Sequence, residues 1–166
     1  MVFNYYYNLT RKQQFIYRKS DQIETVNLNP QGMDILVIDK LREALTREDR
    51  KTVSQCTAKI VNLLAANLEI HAVKIRVLSV RPSYHYGELH GLYEPAEGND
   101  MAVITVWMRT VKHKRVVAFK TYLRTVLHEF CHHLDYEYYK LADSYHTEGF
   151  FKRESSLLKQ LLPDGG

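Results

Sequence analysis

The sequence predicts an α+β fold: helices first, then a small three-stranded sheet, then two further helices. Three observations predict it. Apolar residues recur at helical spacing through residues 33–68. They alternate in residues 73–80 and 101–109, as in strands. They return to helical spacing in residues 117–140 and 148–162. At 166 residues the chain is long enough for one domain, 1–166, with a core that needs no staples.

Residues 1–30 carry the weakest pattern. Tyr5, Tyr6 and Tyr7 read as a short strand or an apolar plug, and residues 10–19 as a helix anchored by Phe15 and Ile16. Asn, Pro and Gly in 27–32 mark a connection. Residues 33–45 then place Ile35, Leu36, Ile38, Leu41 and Leu45 on a helix. Thr46 followed by Asp49 resembles a capping box that starts a second helix, which bears Val53, Cys56, Ile60, Leu63, Leu64 and Leu68. Both helices read as packing elements.

Val73, Ile75 and Val77 alternate with Lys74 and Arg76 in the first strand, which Arg81-Pro82-Ser83 ends. Residues 89–94 form a second strand, 95–100 a turn-rich loop, and 101–109 a third strand with Ala102, Ile104, Val106 and Met108 on one side. Residues 110–115 are a basic connection. In 117–140 the apolar positions Phe119, Tyr122, Leu123, Val126, Leu127, Phe130, Cys131, Leu134 and Tyr138 define one face of a helix uninterrupted by Gly or Pro. A loop over 140–147, a last helix over 148–162 and a short tail complete the chain.

Composition narrows the class. A net charge of +4 permits an anionic partner without demanding one. The 2 cysteines, Cys56 and Cys131, form no C-x-x-C pair, so neither a zinc ribbon nor a disulfide framework is expected. The N-terminus lacks the basic and apolar regions of a signal peptide, and no run of 18 apolar residues suggests a membrane span. The expectation is a cytoplasmic protein with no membrane contact.

The centre of the 117–140 helix reads His128-Glu129-Phe130-Cys131-His132. Histidines four apart project from the same side of a helix and can share one Zn²⁺. Glu129 is placed to reach water at that ion and to act as its base. A catalytic zinc site needs a third protein ligand. His133 points about 100° round the helix from His132. His146 follows His132 after a loop long enough for the chain to return. Glu154 lies on the apolar face of the last helix, where a buried carboxylate needs a partner. It is a rival third ligand, or an acceptor for the outer N–H of a ligating histidine. Asp135 is a further candidate for either part.

His128-Glu129-Phe130-Cys131-His132 followed by His146-Thr147-Glu148-Gly149-Phe150 resembles the SprT-like zinc metallopeptidases. These carry H-E-x-C-H and then a third histidine in an H-G-x-x-F/W pattern. The resemblance covers about residues 81–158, with Thr147 in place of the usual glycine and no Cys-rich ribbon following. It implies a zincin-like fold, one Zn²⁺ on His128, His132 and His146, and hydrolysis of a protein or peptide substrate with Glu129 as general base. His133, Tyr136, Tyr139 and Tyr145 are candidate donors to the oxyanion, and strand edges at 91–94 or 102–108 are candidates to hold an extended substrate.

His85, His90 and His113 lie outside the motif. Arg109, Lys112, Lys114 and Arg115, with Lys120 and Arg124, form a basic cluster before the motif helix, a candidate for weak nucleic-acid contact. Two alternatives stay open: a peptidase with Glu154 as third ligand, and a metal-stabilised binding module without hydrolysis.

Overall fold

A computed structural model of the chain describes residues 1–81, 83–84, 87–88 and 91–165, and the side chains of all of these except 83, 84, 87 and 88. Among them the fold is α+β. Three helices come first: α1 (Arg11–Asp21), α2 (Ile35–Thr46) and α3 (Arg50–Asn67). Five strands follow: β1 (Lys74–Val80), β2 (Ser83–Tyr84), β3 (Gly87–Glu88), β4 (Gly91–Glu94) and β5 (Val103–Arg109). Helices α4 (Phe119–Glu137) and α5 (Glu148–Leu161) close the chain. No helix of the described residues is long and apolar enough to cross a membrane.

The three-stranded sheet runs β1-β5-β4. β5 lies between a parallel neighbour, with Lys74 opposite Val103, and an antiparallel one, with Gly91 opposite Val106. β4 is thus an edge strand. β2 and β3 pair only with each other, a ribbon the sequence pattern did not suggest. Of the second strand expected over 89–94, Gly91 to Glu94 are strand, while His90 and likewise His85 lie outside the described residues.

One core joins these layers. Ile104, Val106 and Met108 of β5 share a buried cluster with Val126, Leu127 and Phe130 of α4 and Ile60, Val61 and Leu64 of α3. Burying each such side chain stabilises by roughly 1.5–3 kcal/mol. A buried hydrogen bond of 2.8 Å between the Thr57 and Tyr122 hydroxyls ties α3 to α4. The motif helix is therefore fixed on two sides, by the sheet and by α3.

Three local expectations need correction. Thr46 ends α2; the cap of α3 is Asp49, whose carboxylate accepts the Thr52 N–H at 3.2 Å. Glu48, with φ 58, makes the break between the two helices. Tyr5, Tyr6 and Tyr7 lie in a 3₁₀ turn, Asn4–Asn8, in which Tyr6 is buried. α1 is anchored by Tyr17, which is fully buried, whereas Phe15 faces solvent. Two positions along a helix turn a side chain about 200°, so these two cannot share a face.

Candidate metal centre

α4 supplies His128 and His132, with ring centres 5.2 Å apart. The third histidine arrives because the chain reverses after α4 and is stopped at a cap. The Leu141 N–H returns to the Asp135 carbonyl at 2.8 Å. The Thr147 hydroxyl accepts the Phe150 N–H at 2.9 Å and begins α5. His146, one residue before that cap, sets its Nε2 3.1 Å from His128 Nε2 and 2.9 Å from His132 Nε2. The three donor atoms lie within 4.8 Å of one another, so the cluster could hold a metal ion. Beneath them the buried Phe150 ring stands 5.0, 4.8 and 5.1 Å from the rings of His128, His132 and His146.

The outer nitrogens decide what the inner ones offer. His128 Nδ1 donates to Glu154 Oε2 at 2.9 Å. His132 Nδ1 donates to Ser144 Oγ at 2.7 Å, and that hydroxyl donates to Asp135 Oδ2 at 2.6 Å. A neutral imidazole that donates from one nitrogen presents a lone pair on the other. Two lone pairs therefore face His146 Nε2, which can satisfy at most one of them with a proton. A cation resolves the conflict. Tetrahedral Zn–N bonds of about 2.0–2.1 Å put ligand nitrogens about 3.3–3.4 Å apart, a few tenths wider than seen here. The donor set fits Zn²⁺. Burial, with the neighbouring imidazoles, pushes the pKa of His132 down to about 3 and that of His146 down to about 4. Both are neutral, the form that binds metal.

Glu129 faces the same cleft, a cavity of about 630 Å³ between α4, β4 and α5. Its carboxylate lies against β4 because residue 91 has no side chain. A Cβ there would stand 2.9 Å from Glu129 Cγ and 3.0 Å from Oε1. Burial pushes the Glu129 pKa up to about 7, His128 opposes the rise and Glu154 adds to it.

His146, and not Glu154, completes the cluster of donors that could hold a metal ion. Glu154 backs His128 and also receives Arg124 at 3.1 Å. Asp135 is fully buried and acts on His132 only through Ser144. Of the four candidate oxyanion donors, only Tyr136 lines the cleft. His133 has both ring nitrogens engaged, by the Tyr93 hydroxyl and the His71 carbonyl, each at 2.9 Å. The Tyr139 hydroxyl points to the Thr25 carbonyl, and Tyr145 packs towards Tyr17. In the basic cluster Arg109 pairs with Glu48 at 2.9 Å, while Lys112, Lys114 and Arg115 are exposed.

Sequence reasoning missed Ser144, Tyr93, Gly91 and Arg153. Tyr93 stacks on Tyr136 with ring centres 6.0 Å apart and closes one side of the cleft. The only signal available was weak: a glycine and a tyrosine in the strand nearest the motif, and a basic residue beside Glu154 on the apolar face of α5. Compared with protein-family models, curated proteins and solved structures, the chain matches none.

Proposed function

We propose that the protein is a zinc-dependent peptidase of SprT-like type with a zincin-like fold, and that it hydrolyses extended protein or peptide segments. One observation carries the reading: three imidazole lone pairs converge beside a buried carboxylate in an open cleft. A purely structural site would be closed by four protein ligands. Among the described residues three converge, and the remaining side faces the cleft.

His128, His132 and His146 would hold one Zn²⁺, with Glu154 and Ser144 fixing two of the rings. The ion, when bound, supplies a Lewis acid for a carbonyl oxygen and brings the pKa of a water towards 7. Glu129 takes the proton of the attacking water and hands it to the departing amine, which a carboxylate near neutrality does in both directions. Tyr136 lines the cleft with its hydroxyl donating to Asp143 Oδ1 at 3.3 Å, and would serve the oxyanion by turning from that carboxylate. β4, paired on one side only among the described residues, would lend its other edge to a substrate backbone. Such pairing gives affinity with little preference for sequence.

Glu129→Gln tests the reading. It keeps the shape and removes the base. Zinc content and melting temperature are expected to stay near wild type, and cleavage of an unfolded protein to fall by at least about 10²–10⁴. If zinc-loaded wild type leaves a broad panel of unfolded proteins intact, the protein is instead a metal-stabilised binding module.

A further inference from the structure

Arg153 is the largest side chain with no exposed surface, and Asp135, its ionic partner at 2.9 Å, is equally buried. A buried ion pair adds little net stability over apolar packing. Its geometry suggests another role, because the pair joins two hydrogen-bonded branches, one ending at His132 and the other at Thr147, the residue after His146. On one branch, Asp135 Oδ2 holds the Ser144 hydroxyl, which holds His132 Nδ1. On the other, Arg153 donates to Ser20 Oγ at 2.9 Å and to the Ser20 carbonyl at 2.6 Å. Ser20 Oγ lies 3.3 Å from Thr147 Oγ1, the cap that immediately follows His146.

The end of α1 is seated on the same cap. Asp21 Oδ1 accepts the Gly149 N–H at 2.9 Å. A Cβ on Gly149 would collide with the Asp21 carbonyl oxygen, so the two segments touch backbone to backbone. Further out, the Tyr5 hydroxyl donates to the His146 carbonyl at 2.8 Å. Residues 5–21 thus hold the segment 146–149 at three points, one of them on His146 itself.

We propose that Arg153 and Asp135 are positioning residues for His132 and His146, and that α1, through Ser20, is a working part of the metal centre. The proposal rests on the metal-binding reading above. Outer partners of this kind fix ring orientation and typically set metal affinity by about 10–100-fold.

The test uses the full chain, with Zn²⁺ affinity from chelator competition and the visible spectrum of the Co²⁺ form. Ser144→Ala cuts the first branch and Ser20→Ala the second, while Ser144→Thr keeps the hydroxyl. The alanine variants should bind Zn²⁺ about 10–100-fold more weakly and shift the Co²⁺ bands. Ser144→Thr should recover most of the affinity. The metal-free Ser144→Ala protein should melt somewhat lower, because Asp135 Oδ2 loses a donor, so affinity and the Co²⁺ bands carry the test. A lowered metal-free melting temperature with unchanged affinity and spectrum in both alanine variants would make the network merely structural and overturn the proposal. Failure of wild type to bind either ion would remove the metal reading itself, and the proposal with it.

Discussion

Replacing Gly91 by Ala adds one methyl group where the edge strand meets Glu129. The new Cβ would stand 2.9 Å from Glu129 Cγ, 3.0 Å from Oε1 and 3.1 Å from Thr125 Cγ2. Ordinary carbon contacts lie at about 3.5–4.0 Å, so the overlap is roughly 0.5–1 Å. Gly91 is not among the positive-φ residues, so the backbone accepts alanine and the perturbation is one of space alone. Either β4 lifts from α4 or the carboxylate turns away. Overpacking of this size costs about 1–3 kcal/mol, which lowers the melting temperature by roughly 2–10 °C for a chain of this length. A catalytic group moved by about 1 Å can lose about 10²-fold in rate. None of the three atoms nearest the new methyl belongs to a histidine, so zinc content should be unchanged. The assay is kcat/KM on an unfolded protein, with zinc and melting temperature measured on the same preparation. A wild-type rate at full zinc loading would refute the idea that Gly91 seats Glu129. Loss of zinc would refute the independence of strand and ligands.

Other consequences follow from the same geometry. His146→Ala should abolish tight Zn²⁺ binding, whereas Glu154→Gln should weaken it by about 10–100-fold, because Glu154 touches only the outer nitrogen of His128; the reverse order would make Glu154 the ligand. In the metal-free protein the pKa values of His132 and His146 lie at about 3 and about 4, below the ordinary 6.5. The two rings therefore contribute stability above pH 6.5 that is lost as the pH falls through 4 towards 3. Ring-proton titration by NMR should give midpoints under about 5 for both, and a midpoint near the ordinary imidazole value of about 6.5 for either would contradict the buried, neutral cluster. Cys56 and Cys131 are buried, and burial raises both thiol pKa values. Neither should react with an alkylating reagent in native protein. Rapid modification of Cys131 would mean that α4 is not packed as described.

The chemistry was more legible in the sequence than its support. His128, Glu129 and His132 follow from local helical spacing, because one turn of helix is enough to bring them together. His146 was readable as a returning histidine, but only the fold places it against the other two and puts Glu154 behind His128. Alternation located the strands, and β1 buries Val77 as expected, but β5 buries Thr105 and Trp107 as well as Ile104, Val106 and Met108. The remainder depends on contacts between distant segments, which periodicity does not encode. Ser20 and Thr147 meet across 127 positions. Tyr93 reaches His133 across 40. α1 misled for a simpler reason: Phe15 is the more apolar residue, yet Tyr17 has the buried face, and its hydroxyl oxygen accepts the Phe3 N–H. The capping error at Thr46 came from a motif that Asp49 satisfies better from three residues further on.

The central claim is that three imidazoles hold one ion and leave a place open to the cleft. X-ray absorption at the zinc edge, on protein whose metal content is measured in parallel, tests it most directly. The account predicts one zinc per chain, with about three nitrogen ligands at roughly 2.0–2.1 Å and one further light ligand in a four-coordinate shell. The imidazole scattering should fall from three rings to two in His146→Ala. A sulfur ligand at about 2.3 Å would contradict the account. So would an unchanged three-imidazole shell in His146→Ala, or a chain that binds no zinc at all.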